Sequence, residues 1–242
     1  MKTGIERKPT LDVFIDIGFT LMGGHGPSPS KKIHQLLDLD DAQLDFVSDI
    51  VFSEKHYAPD SLMASLENFT GRRLSESQKL EIGDFWESQY TGGYEIEGAC
   101  EFLRNLVQSG LDIHIVSNIW LPFYNRYKEI FKDIKGFVKS ETLSCMVGAR
   151  KPSTDIYKIA IERSGALPEK SVMVGDSLAN DIMPCADLGM KCVWFLSRSL
   201  EQSVLESKRA LYSTYDHVFE ASSLLEVESI IKRIVENDGK KN

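Results

Sequence analysis

In this 242-residue chain, groups able to do chemistry recur at one kind of place, just past a short apolar run. Val13-Phe14-Ile15 runs into Asp16. Leu111-Asp112-Ile113-His114-Ile115-Val116 runs into Ser117-Asn118. Ser171-Val172-Met173-Val174 runs into Gly175-Asp176, with Asp181 shortly after. A further charged group, Arg150 and Lys151, stands in the loop Gly148-Ala149-Arg150-Lys151-Pro152. Apolar, β-favouring runs suit strands buried on both faces of a parallel sheet, and such sheets bind ligands beyond the carboxyl ends of their strands. Three carboxylates, a hydroxyl, an amide and an ammonium group are therefore candidates for one rim. Each has a plainer reading when taken alone. Asp16 reads equally as a strand-end residue that starts a turn. Gly175 to Asp181 reads equally as a capped helix start, where the helix dipole favours acids.

The elements that would position these groups follow from periodicity. After residue 98, strands alternate with amphipathic helices: Gly98 to about Ser109, Leu121 to Phe131, Asp155 to Ser164, a helix to about Leu188, and Ser223 to Val235. Further strands are predicted at Phe137 to Ser140, Lys191 to Leu196 and His217 to Phe219. That alternation predicts an α/β fold, a doubly wound parallel (Rossmann-like) sheet. Residues 30 to 91 instead read as helices with no strand between them. Asp60 is predicted to cap Leu62 to Phe69, and Ser75 with Gln78 forms a capping box for a helix running to about Tyr90. Phe85, Trp86 and Tyr90 fit a bundle core better than a ligand surface. Gly92-Gly93 reads as a hinge, because paired glycines accept large backbone changes. His25 lies in the loop Gly23 to Ser30 and reads as surface; His114, inside a strand, reads as structural.

Composition narrows the class. The formal charge is −8 and no Lys/Arg block stands out, which argues against nucleic acid or an anionic membrane surface as partner. The tail bases Lys232, Arg233, Lys240 and Lys241 are interrupted by Glu236 and Asp238. Cys100, Cys145, Cys185 and Cys192 show no CxxC spacing and read as reduced thiols, which points to the cytoplasm. Met1 to Pro9 has no apolar stretch of the signal-peptide kind, and no run is long enough to span a membrane.

The order Asp16, Ser117-Asn118, Lys151, Asp176/Asp181 resembles the four-motif signature of the haloacid dehalogenase (HAD) superfamily, whose hydrolases are mostly phosphatases. The likeness covers nearly the whole chain and is sharpest from Gly148 to Leu196. The helices after the first motif resemble the C1-type cap of that family. The resemblance implies a core of residues 1–21 and 93–242 with an inserted all-helical cap at 22–92. It implies Asp16 as the nucleophile that forms an aspartyl-phosphate. Ser117, Asn118 and Lys151 would hold the phosphoryl group, with Lys151 offsetting its negative charge. Asp16, Asp176 and the Gly18 carbonyl would bind Mg²⁺, a hard cation that takes oxygen ligands. Asp181 would orient Lys151 or a metal-bound water.

One motif departs from the family pattern. Asp-x-Asp is usual there, its second Asp acting as general acid and base, followed by Gly. Here Gly18 and Phe19 occupy those positions. General acid catalysis is worth ~10²–10⁴-fold, so the expectation is a hydrolase of small phosphorylated metabolites that favours good leaving groups. Two alternatives stand beside it: a catalytically impaired phosphate- and metal-binding protein, and a dehalogenase or phosphonatase chemistry at Asp16. A phosphonatase would need a cap lysine, for which Lys31, Lys32, Lys55 and Lys79 are the candidates.

Overall fold

The computed structural model describes residues 11–198 and 200–239. The N-terminal segment Met1 to Pro9 and the tail lysines Lys240 and Lys241 lie outside the described residues. In chain order the strands are β1 (Asp12–Ile15), β2 (Met22–Gly23), β3 (Tyr94–Glu95), β4 (Asp112–Ser117), β5 (Val138–Leu143), β6 (Ser171–Gly175), β7 (Lys191–Phe195) and β8 (Val218–Ala221). The helices are α1 (Pro29–Leu36), α2 (Leu44–Ser53), α3 (Pro59–Thr70), α4 (Glu76–Ser88), α5 (Ala99–Gln108), α6 (Leu121–Ile130), α7 (Ser144–Val147), α8 (Thr154–Ser164), α9 (Met183–Asp187), α10 (Gln202–Tyr212) and α11 (Leu224–Gly239).

Six strands form one sheet in the order β5-β4-β1-β6-β7-β8, every pair parallel. β1 lies between β4 and β6, so the strand order turns back beside it, and the crevice at such a reversal is where open α/β sheets bind ligands. The pleat then sorts the side chains. Val13 and Ile15 join Phe102, Leu106, Tyr127 and Ile231 on one face, while Phe14 joins Ile156, Tyr157, Ile182 and Trp194 on the other. Burial on both faces explains why β1 carries no solvent-facing polar alternation. His114 belongs to this frame. It is buried, stacks on Phe14 and hydrogen-bonds Ser140 Oγ at 2.8 Å and Asp12 Oδ1 at 3.0 Å.

α1 to α4 lie between β2 and β3, which pair antiparallel as a two-stranded stalk. Their apolar faces form a separate cluster containing Ile33, Leu37, Val47, Leu62, Leu66 and Trp86. Trp120, from the sheet side, completes it. Its ring meets Trp86 edge-on at 5.1 Å and Phe85 at 5.7 Å. Arg150 adds a polar tie across the same seam, with its Nε donating to Asp49 Oδ1 at 2.5 Å and its Nη2 to Asp45, both on α2. Among the described residues no helix is long and apolar enough to cross a membrane. The four cysteines are unpaired.

Several expectations shift in detail. Asp60 does not cap α3; Pro59 opens that helix behind Ala58, because its fixed φ suits the first turn. The Ser75/Gln78 capping box is present, with both hydrogen bonds formed. Neither Gly92 nor Gly93 lies in the left-handed region, and Gly93 is closely surrounded by side chains. A Cβ there would lie 3.0 Å from Met22 Sδ and 3.2 Å from the Phe123 ring. The stalk strands and α10 have no signal strong enough to predict them.

Trp120 is the buried side chain from the sheet side in the core of the helical insert, with the partly buried Phe123 packed against the same cluster. Trp120→Ala is expected to cost about 3–5 kcal/mol in urea unfolding. Leu80→Ala, at a site 68% exposed on α4, should stay within about 0.5 kcal/mol.

Candidate active site

The ends of β1, β4 and β6 bring Asp16, Ser117 and Asp176 to one rim, and the loop before α8 adds Lys151. That loop is held in place by Asn118. The Asn118 side chain accepts from Lys151 N at 2.8 Å and donates to Lys151 O at 2.9 Å. Ser153 then caps α8 by accepting from Asp155 N. Fixed in this way, the Lys151 side chain passes under the β4 end with 3% of its surface exposed. Its three donors are all used: Asp16 Oδ1 at 2.5 Å, Asp181 Oδ1 at 2.5 Å and Val116 O at 3.2 Å.

Asp181 reaches this position through a wide helical turn at Leu178–Ile182, entered from the strand by Gly175. Its second oxygen accepts from Ser177 N at 2.9 Å. A Cβ at Gly175 would lie 2.5 Å from the Asp181 side chain, so only glycine permits this approach. Asp176 points to the same rim, its Oδ2 accepting from Arg198 Nη2 at 2.7 Å. Carboxylate oxygens of Asp16, Asp176 and Asp181 lie within 4.8 Å of one another.

So many acids at close range perturb one another. Burial pushes Asp176 up to about 6, assisted by repulsion from Asp16 and partly relieved by Arg198 and Lys151. Burial likewise raises Asp181. Burial works against the Lys151 cation, but Asp16 and Asp181 more than offset it and hold its pKa above the ordinary lysine value. Asp16 Oδ2 and Asp176 Oδ1 accept no hydrogen bond among the described residues. An all-oxygen donor set with spare carboxylate oxygens suits a hard divalent cation.

The departure in the first motif is now local and visible. Gly18 is outside the left-handed region, and a Cβ built on it would sit 3.7 Å from Asp16 Oδ2. Neither backbone nor space therefore demands glycine there. Phe19 has a φ of 53°, a left-handed conformation uncommon for a bulky residue. Its ring lies under Arg198, with the guanidinium 4.1 Å from the ring centroid.

A cavity of about 340 Å³ opens above this rim. Asp16, Gly18, Asn118, Lys151, Asp176 and Asp181 line it, and Ser117 is buried at the strand end behind. The far wall comes from the helical insert and its linker, including Ser30, Ser48, Phe52 and Gln89. His25 is exposed, as expected, and borders the cavity with its ring 5.0 Å from that of Tyr94. Arg198, Trp120 and the Arg150 tie carry no sequence signal of their own. Arg198 was nonetheless within reach of the strand-end rule, because it closely follows β7, the neighbour of β6.

A family profile described as a haloacid dehalogenase-like hydrolase matches residues 25–189, and the chain belongs to that family. A glyceraldehyde 3-phosphate phosphatase from Pyrococcus furiosus is 30% identical over 143 residues, covering 59% of this chain and 58% of the relative. A phospholysine phosphohistidine inorganic pyrophosphate phosphatase from Danio rerio is 25% identical over 196 residues, 77% of this chain and 64% of the relative. The chain thus spans about three fifths of the length of these two relatives. In fold it is similar to a haloacid dehalogenase-like family hydrolase from Xanthomonas campestris, with a TM-score of 0.64, 14% identity and coverage of 98% and 97% of the two chains.

Two outcomes follow for the site. Gly175→Ala should displace Asp181 from Lys151 and cost about 1–3 kcal/mol in urea unfolding. In chelator-treated protein the folded chain holds its Asp176 proton to about pH 6, whereas an ordinary Asp releases it near 3.8. The folded state then binds more protons between those values, so stability falls as pH rises through that window. Melting temperature against pH should show this slope, and Asp176→Asn should lessen it, leaving the part that the raised Asp181 contributes.

Proposed function

We propose that the chain is a Mg²⁺-dependent phosphatase of small phosphorylated metabolites, working through an aspartyl-phosphate at Asp16. The observation that carries this reading is the buried Lys151 ammonium shared by Asp16 and Asp181, beside Asp176 and beneath the cavity. The names of the Pyrococcus and Danio relatives support a phosphorylated substrate. A cavity of about 340 Å³ fits a small one. Residues 22–92 act as a cap that closes over a core of residues 1–21 and 93–242, and the reduced cysteines suit a cytoplasmic setting.

Asp16, Asp176 and the Gly18 carbonyl would hold Mg²⁺, which supplies charge neutralisation for the phosphoryl oxygens. The rest falls to the chain. Lys151 fixes Asp16 through Oδ1 and leaves Oδ2 to attack phosphorus, while the bond from phosphorus to the leaving oxygen breaks. The same ammonium offsets charge on the transferring group, and Ser117 at the β4 end holds a phosphoryl oxygen. Asn118 contributes by clamping the Lys151 backbone. Asp181 keeps Lys151 in place. Water then attacks the phosphorus of the aspartyl-phosphate and restores Asp16. No side chain at position 18 protonates the leaving group, so substrates whose leaving group departs as an anion are favoured.

Gly18 also motivates a second reading, a phosphate- and metal-binding protein without turnover. A phosphonatase has less support. Among the described residues Lys151 is the lysine that lines the cavity, while Lys79 pairs with Glu76 and Lys55 sits over Tyr57.

Phosphate release decides between these readings. With Mg²⁺, acetyl phosphate should be hydrolysed and sugar phosphates should be slower by ~10²–10⁴-fold. Asp16→Asn should abolish release, and Gly18→Asp should raise turnover of the sugar phosphates. A wild type inert on every ester and on acetyl phosphate, yet binding Mg²⁺, would establish the binding protein.

A further inference from the structure

Arg198 and Phe19 form a structure that the phosphatase reading does not use. Arg198 follows β7 and reaches back over the rim to donate from Nη2 to Asp176 Oδ2 at 2.7 Å. It is held there from below, because its guanidinium lies 4.1 Å from the centroid of the Phe19 ring. Phe19 is itself in a left-handed conformation, with a φ of 53°, which a bulky side chain adopts only against a steric penalty. A glycine would take this turn freely. The chain has a large ring there instead, and the ring's face meets the one cation that touches Asp176 among the described residues.

The charges explain what this arrangement does. Asp16, Asp176 and Asp181 bring three acids to within 4.8 Å, and Lys151 serves two of them. Asp176 is left for Arg198. Its side chain is only 10% exposed, so its charge is poorly screened, while Arg198 is 61% exposed and free to swing toward solvent.

We propose that Arg198, seated on Phe19, is a resident cation of the carboxylate cluster that competes with a divalent metal for Asp176. This rests on the reading of Asp176 as a metal ligand. Arg198 is a positioning residue in this scheme. It holds Asp176 through Oδ2 and neutralises it, so its charge opposes a divalent cation at the spare Oδ1, which binds more readily as the guanidinium turns away. Phe19 sets how firmly the guanidinium stays, so the residue that departs from the family pattern tunes metal affinity.

The test is titration calorimetry of the full chain with Mg²⁺ alone, in phosphate-free buffer after chelator treatment. Arg198→Ala and Arg198→Gln should both bind Mg²⁺ more tightly than wild type, by about two- to fivefold, the range set by a mostly exposed ion pair. Phe19→Gly should tighten binding by a smaller factor and keep the turn. Melting supplies a second readout. Arg198→Ala should melt lower than wild type without metal and gain more from added Mg²⁺. Unchanged or weaker Mg²⁺ binding in both Arg198 variants overturns the proposal while leaving the metal reading intact. Absence of Mg²⁺ binding in every variant and in wild type overturns both. Binding that emerges only when Arg198 is removed supports the competition directly.

Discussion

The buried ammonium of Lys151 is the interaction on which the rest of the site depends. Two carboxylates and a backbone carbonyl share it at 2.5, 2.5 and 3.2 Å, with almost no solvent to screen them. Burying three such charges is costly unless their geometry is well satisfied. The surroundings supply that geometry in pieces. Asn118 pins the Lys151 backbone from β4. Gly175 lets Asp181 approach from β6. The end of β1 presents Asp16 between them. Each device is trivial alone, and each comes from a different strand. Only a sheet whose order turns back at β1 puts the three strand ends side by side.

The same charge pattern links stability with chemistry. Lys151 pairs with Asp16 and Asp181, yet burial leaves Asp181 and Asp176 alike with a raised affinity for protons. A cluster of three acids around one buried ammonium has a standing attraction for a further cation. Arg198 answers part of that attraction from the protein itself. Fold stability, proton binding and cation binding therefore act on one oxygen set, and altering any of them shifts the others.

Much of this was legible in the sequence because it depends on short-range signals. Apolar runs ending in Asp16, Ser117 and Asp176 reported strands and the rim at once. The Ser75/Gln78 box reported a helix start by spacing alone. What remained hidden depends on distance in the chain. The stalk pairs residues 22 and 23 with 94 and 95, too few to show a period. Trp120 reads as part of α6's entry, yet it packs into a cluster built from residues 33 to 86. Arg150 looks like a companion of Lys151, but its partners are Asp45 and Asp49 on α2. Asn118 reads as a ligand to phosphate, and what the sequence does not show is that its amide also clamps the loop that carries Lys151.

Gly18 and Phe19 show how a departure from a motif can be read physically. At position 18 neither crowding nor backbone conformation explains the lost side chain, since a Cβ would stand clear at 3.7 Å from Asp16. The substitution is thus a change in chemistry that the fold did not require. At position 19 the reverse holds. The backbone keeps a conformation that favours glycine, and the chain places an aromatic ring on it. A bulky residue persists in such a conformation when its surroundings hold it there. Here the turn is closed by Phe19 N donating to Met22 O at 2.8 Å, and the ring lies against the Arg198 guanidinium, which in turn reaches Asp176. In the proposed reaction the two adjacent departures thus act on opposite sides. One removes a proton donor from the leaving-group side, and the other anchors a cation at the carboxylate that would hold the metal.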